Sequence, residues 1–126
     1  MHKCSTTFDE YVEILSTESP PALILDWWRR LSLAIDEYLK ARGLPLRSKE
    51  EALATDPQVG PEVATQIREL RLLRNAIAHE ETKHISSDEA AQYAQKALDY
   101  IGLLGERIDQ LQEERKMGTF MNSADA

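Results

Sequence analysis

Ala90, Ala94, Ala97, Ile101, Leu104, Ile108 and Leu111 recur at alternating steps of four and three residues, and this run constrains the fold more than any other feature of the chain. At about 100° per residue, those positions form one apolar seam, the pattern of a helix packed lengthwise against another. Small side chains come first and large ones later. Close helix approach is therefore expected early in the seam, opposite the helix that precedes it. Ser86-Ser87-Asp88-Glu89 has the capping-box pattern, so the helix is read from Ser87 to Glu114. Beyond that point the period lapses, and residues 115–126 read as a frayed tail.

Two further long helices and two short ones follow from the same reasoning. Ser19 is a good N-cap with Pro20 at the first helical position, and apolar residues then recur at Leu23, Ile24, Trp27, Trp28, Leu31, Ala34, Ile35, Tyr38 and Leu39. Gly43 ends that helix and Pro45 prevents its continuation. The stripe is wider than one helix pair needs, and with the Leu72 side of a later helix it predicts a homodimer. Ser48-Lys49-Glu50-Glu51 is another capping-box pattern, opening a short helix through Ala54. A turn from Asp56 to Pro61 leads into a third long helix ending near Ala78 or His79. Within residues 1–18, Phe8 to Leu15 predicts a short helix on the main body. No segment alternates as a strand does. The expected fold is all-α, a single antiparallel up-and-down helical bundle over residues 19–114, with two long helices flanking the third.

The chain has 126 residues, enough for one core, with the apolar and charged content of an ordinary soluble protein. A single cysteine, Cys4, excludes an intrachain disulfide and suits an intracellular, cytoplasmic setting. The polar N-terminus has no signal-peptide core, and the longest strongly apolar patch, Ala22 to Leu25, is far short of a membrane span. A net charge of −7 argues against a broad nucleic-acid-binding surface. It leaves room for a small basic site, because Arg68, Arg71 and Arg74 are concentrated on one helix.

That helix carries the chemistry. On an ideal helix Arg68, Arg71, Arg74, Asn75 and His79 fall on a continuous arc beside the apolar arc of Val63, Ile67, Leu70, Leu73 and Ile77. Arg74 stands at the border of the two. Asn75 and His79 are i,i+4 neighbours, so the amide is placed to hydrogen-bond the imidazole. Structural readings exist for the same residues: Arg74 as a snorkelling arginine, and His79 as a helix C-terminal residue complementing the macrodipole. Elsewhere, His84 has no acidic or cysteine partners in a metal-ligand pattern, so neither metal nor cofactor is expected. Trp27, Trp28 and Tyr38 are able to stack on bases, but aromatics at helical spacing more often serve a core.

Arg74-Asn75-Ala76-Ile77-Ala78-His79 resembles the R-x4-6-H motif of HEPN domains (higher eukaryote and prokaryote nucleotide-binding), in its R-N-x-x-x-H form. The likeness extends to a long helix before the motif, opening at Ser19-Pro20-Pro21, and a second after it. Residues 20 to 113 are covered. The resemblance implies a metal-independent endoribonuclease of toxin, defence or RNA-processing type, with Arg74, Asn75 and His79 catalytic and Arg68 and Arg71 on phosphate. It further implies that two motif helices meet in a homodimer to build one cleft, with RNA as substrate and a protein antitoxin as candidate partner. The chain departs from one branch of the family. Glu81 stands where toxins paired with nucleotidyltransferase antitoxins carry a tyrosine, and Glu80-Glu81 would repel RNA nearby. The other reading is a non-catalytic helical module for dimerisation, nucleotide binding or protein binding.

Overall fold

The computed structural model describes residues 19–79 and 84–125, with side chains through 118. The expected Phe8 to Leu15 helix, and Glu80 and Glu81, lie outside the described residues. Among those described there are four helices and no strand: α1 (Pro20–Arg42), α2 (Lys49–Thr55), α3 (Pro61–Ala78) and α4 (Ser87–Asp125). The chain is an all-α helical bundle. None of these helices is long and apolar enough to cross a membrane.

α1 is the spine. Leu23, Ile24, Trp27, Leu31, Ile35, Tyr38 and Leu39 are buried on it, and Trp28 and Ala34 are partly buried against the same core. Its end is a Schellman motif. Gly43 takes the left-handed region (φ 71°), its N–H donates to the Lys40 carbonyl, and the Leu44 N–H reaches back to Leu39 at 2.8 Å. Ser19 holds the N-cap position without a side-chain bond, leaving initiation to Pro20. The wide stripe is consumed within one chain, because α4, α3 and α2 all pack on α1. It therefore gives no argument for a second copy.

α4 buries Ala90, Ala94, Ala97 and Leu104 completely, with Ile101 and Ile108 half-buried, so the seam faces the core as its period predicts. Its principal neighbour is α1, and α3 touches it more lightly. The close approach expected opposite the motif helix is thus made chiefly to α1. The Tyr93 hydroxyl donates to the Leu70 carbonyl at 2.9 Å, and Tyr100 lines a groove with Val63 and Gln66, so α3 and α4 run in opposite directions. α4 does not end at Glu114 but continues to Asp125. Arg115 accounts for the first part of that extension, since its Nη2 donates to the Ala41 carbonyl at 2.6 Å and holds the helix beside the end of α1.

The two capping-box patterns behave differently. At α4 the box forms: the Glu89 N–H donates to Ser86 Oγ at 3.1 Å, and the Ser86 N–H donates to Glu89 Oε1 at 3.2 Å. At α2 it does not. Ser48 sits in the left-handed region (φ 54°, ψ 53°), outside the extended backbone an N-cap needs, and makes no side-chain cap bond.

Candidate functional site

The corner where α1, α2 and α3 meet holds the one buried charged residue among those described, Asp56. Its carboxylate accepts from the Tyr38 hydroxyl (2.7 Å), from Arg42 Nε and Nη2 (3.1 and 3.2 Å), and from the Gln58 N–H (2.9 Å). Burial alone would raise its pKa, but the Tyr38, Gln58 and Arg42 bonds together hold it below the ordinary carboxylate value. Tyr38 is pushed up in turn, first by burial and then by its bond to Asp56. A carboxylate with four donors has no acceptor capacity left for a ligand. The cluster fixes the turn from which α3 departs and explains why Tyr38 is unavailable for base stacking. Trp27 is equally committed, 4% exposed and with the Arg30 guanidinium 4.8 Å above its ring.

From that corner α3 carries the sequence motif away along the bundle. Ala64, Ile67, Leu70 and Ile77 are its buried residues, with Val63 and Leu73 half-buried beside them. Arg74 is found deeper than the border position expected for it. It lies one turn from both Leu70 and Ile77 on the inward seam, and is half-buried. Its guanidinium turns to the polar side, where Nη1 donates to Asn75 Oδ1 at 3.0 Å. That bond replaces the one expected between Asn75 and the His79 imidazole. Tyr93 lies on the other side of Arg74. Burial drives its hydroxyl pKa up, and the nearby Arg74 charge offsets part of that rise. Tyr93 was not foreseen from sequence, since its partner is the backbone of a residue 23 positions away.

His79 is the C-cap of α3 and is exposed. Its backbone N–H donates to the Asn75 carbonyl at 3.0 Å, while its imidazole has no partner among the described residues. Arg68, Leu72, Asn75 and His79 recur at steps of four, three and four on the outward side of α3, with Leu72 48% exposed. Arg74 and His79 are about 140° apart around the helix and roughly 7.5 Å along it. One helix therefore does not aim both groups at one phosphate. Asn75 narrows the gap by drawing the guanidinium toward the outward side.

Of the two arginines expected on phosphate, Arg68 is exposed and has no acceptor among the described residues. Arg71 is occupied. Its Nε and Nη2 both donate to the Glu50 carboxylate on α2, the Nη2 to Oε1 bond being 3.1 Å. The bond to Glu50 outweighs desolvation and raises the Arg71 pKa further. No group of three His, Cys, Asp or Glu side chains among the described residues is placed to hold a metal ion. Comparison with protein-family models, with curated proteins and with solved structures returned no match for the chain.

Proposed function

We propose that this chain is a HEPN-like, metal-independent endoribonuclease that acts in the cytoplasm as a homodimer, with Arg74, Asn75 and His79 of two motif helices forming one cleft. The observation that carries the reading is the contrast within the motif: His79 is exposed, its imidazole without a partner among the described residues, while Arg74 is held by the side chain of the residue beside it. In the proposed chemistry one His79 takes the proton of a ribose 2′-hydroxyl, and that oxygen attacks phosphorus. The bond to the leaving 5′-oxygen breaks as His79 of the second copy protonates it. Arg74 stabilises the charge that grows on the phosphoryl oxygens, with Asn75 setting its direction. The products are a 2′,3′-cyclic phosphate and a free 5′-hydroxyl. Arg68 and Arg71 are assigned to flanking phosphates.

The offset between Arg74 and His79 supports the dimer, because a second helix is the direct way to bring an imidazole opposite a guanidinium. The outward row of Arg68, Leu72, Asn75 and His79 offers a surface for it, as its spacing is that of a helix-pairing seam. A protein antitoxin is a candidate partner for the same surface. With Glu81 in place of the toxin tyrosine, control through modification of that side chain is not part of the reading.

The experiment is cleavage of single-stranded RNA in excess EDTA, with product ends identified and DNA as control. His79→Ala and Arg74→Ala should each abolish the activity, by a factor of about a hundred or more if the lost group acts like an oxyanion donor. Both variants should keep dimer mass, His79→Ala should keep the melting temperature, and Arg74→Ala should lower it by no more than a few degrees. A parent protein that leaves RNA intact, or variants that fall to monomers, would make the motif an interaction surface and favour the non-catalytic helical module.

A further inference from the structure

Two surface ion pairs among the described residues join separate helices, Lys49–Asp36 and Arg71–Glu50, and of these the Arg71 pair is the two-bond fork, made between side chains 21 residues apart. It also lies on a groove of about 390 Å³ between α2 and α3, lined by Arg68, Arg71, Thr65, Glu50 and Glu51. Arg71 and Glu50 keep 35% and 28% of their side-chain surface exposed, so water and solutes reach the pair. Arg68, one turn before Arg71, contributes a second guanidinium without an acceptor among the described residues. A guanidinium fork that holds a carboxylate with two parallel bonds has the geometry for two oxygens of a phosphate.

We infer that the groove between α2 and α3 is a site for a phosphate of the RNA backbone, and that its resident occupant in the free protein is the protein's own Glu50 carboxylate. The ligand assignment rests on the ribonuclease reading; the displacement by Glu50 does not. Two arginines facing two glutamates leave the closed groove near electrical balance, so a stray anion gains little by entering. When a strand engages the motif, a neighbouring phosphodiester replaces Glu50 on Arg71 and meets Arg68 beside it. Glu50 swings out to solvent, an exchange made easy by the small net worth of a part-exposed ion pair. The groove thus favours a ligand already anchored elsewhere on α3 over a free phosphate, which reconciles an acidic protein with an RNA substrate.

The test measures binding apart from cleavage, using a short single-stranded RNA with every 2′-hydroxyl methylated, which cannot be cut. Glu50→Gln keeps the shape and removes the competing charge. It should tighten binding about tenfold, and with no displaced carboxylate to take up a cation in exchange, the plot of log affinity against log salt should steepen by about 0.7. Glu50→Asp, whose carboxylate is one methylene short of the fork, should move in the same direction. Arg71→Gln alone should change little, because Arg71 is already occupied, yet in the Glu50→Gln background it should take back the whole gain. Unchanged affinity in both Glu50 variants would overturn the inference, as would an Arg71→Gln loss that is the same in both backgrounds. Inorganic pyrophosphate is the second probe. A gain confined to it would make the groove a site for small phosphate anions and overturn the RNA assignment. Failure of unmodified RNA to be cut would sink the enzymatic reading while leaving this cycle of variants intact.

Discussion

Two clusters of arginine and acid or amide side chains lie at either end of α3, and they are built on opposite principles. At the N-terminal corner Asp56 is enclosed and receives four hydrogen bonds, from Tyr38, from both nitrogens of the Arg42 fork, and from the Gln58 backbone. At the C-terminal end Arg74 has a single bond, to its neighbour Asn75, and the His79 imidazole none among the described residues. A buried charge must be matched on every lone pair, or its desolvation is not repaid. A group that is to meet a ligand must either keep hydrogen-bonding capacity free or hold a partner exposed enough to be exchanged, as Glu50 is on Arg71. The corner is therefore architecture, while the motif end leaves more of its polar groups without a protein partner among the described residues.

The largest expected effect follows from removing the acceptor at the corner. Asp56→Ala leaves the buried Tyr38 hydroxyl and the Arg42 fork without their partner. It should lower stability by about 3 kcal/mol, toward the low end for a broken buried pair because Arg42 is partly solvated. Urea denaturation checks this. A loss below about 1 kcal/mol would mean that the corner tolerates an orphaned cation, and the contrast between the two ends would fail.

The two ends also differ in how they announce themselves in sequence. The α4 seam and the apolar stripe of α1 were legible because every relevant residue lies within a few turns of the next. The motif was legible as residue types and spacing. What Arg71 bonds to was not, since Glu50 lies 21 residues before it and nothing local marks it, and Asn75 had two candidate partners within one turn, of which Arg74 rather than His79 holds it. Asp56 was equally opaque: Asp56-Pro57 signals a turn, but its partners are 14 and 18 residues upstream. The paired capping boxes show the limit even for local signals. Ser86 and Ser48 begin the same pattern, yet the chain enters α2 with Ser48 in a left-handed turn, and only Ser86 caps.

A pH titration sharpens the comparison at intermediate magnitude. The folded-state pKa of Asp56 is held below its unfolded value by Tyr38, Gln58 and Arg42 acting against burial. The stability it contributes is complete above the unfolded carboxylate pKa, about 3.9, and is lost as pH falls through the lower folded value. Tyr38 works at the other extreme. Its pKa is raised by burial and by Asp56, so its contribution is complete below about pH 10 and is lost as pH rises toward the folded value. Asp56→Asn should flatten the acid limb when stability is followed by denaturation at stepped pH. An unaltered acid limb would show that other carboxylates control it.

The smallest expected effects on stability belong to the motif end, where smallness is the point. His79 is exposed and, among the described residues, bonds through its backbone alone, so His79→Ala should change stability by no more than about 0.5 kcal/mol, the range for surface sites. Asn75→Ala removes the acceptor for a half-buried guanidinium that can turn to water instead, and should cost about 1 kcal/mol or less. Arg74→Ala is the discriminating variant, because its stem lies on the inward seam between Leu70 and Ile77 and contributes packing as well as charge. If it costs about 1 kcal/mol, its position on the seam is incidental to a guanidinium held for phosphate. If it costs as much as Asp56→Ala, Arg74 is a second architectural arginine. Tyr93 and Asn75 would then be its structural partners, and the difference between the two ends of α3 would be one of depth alone.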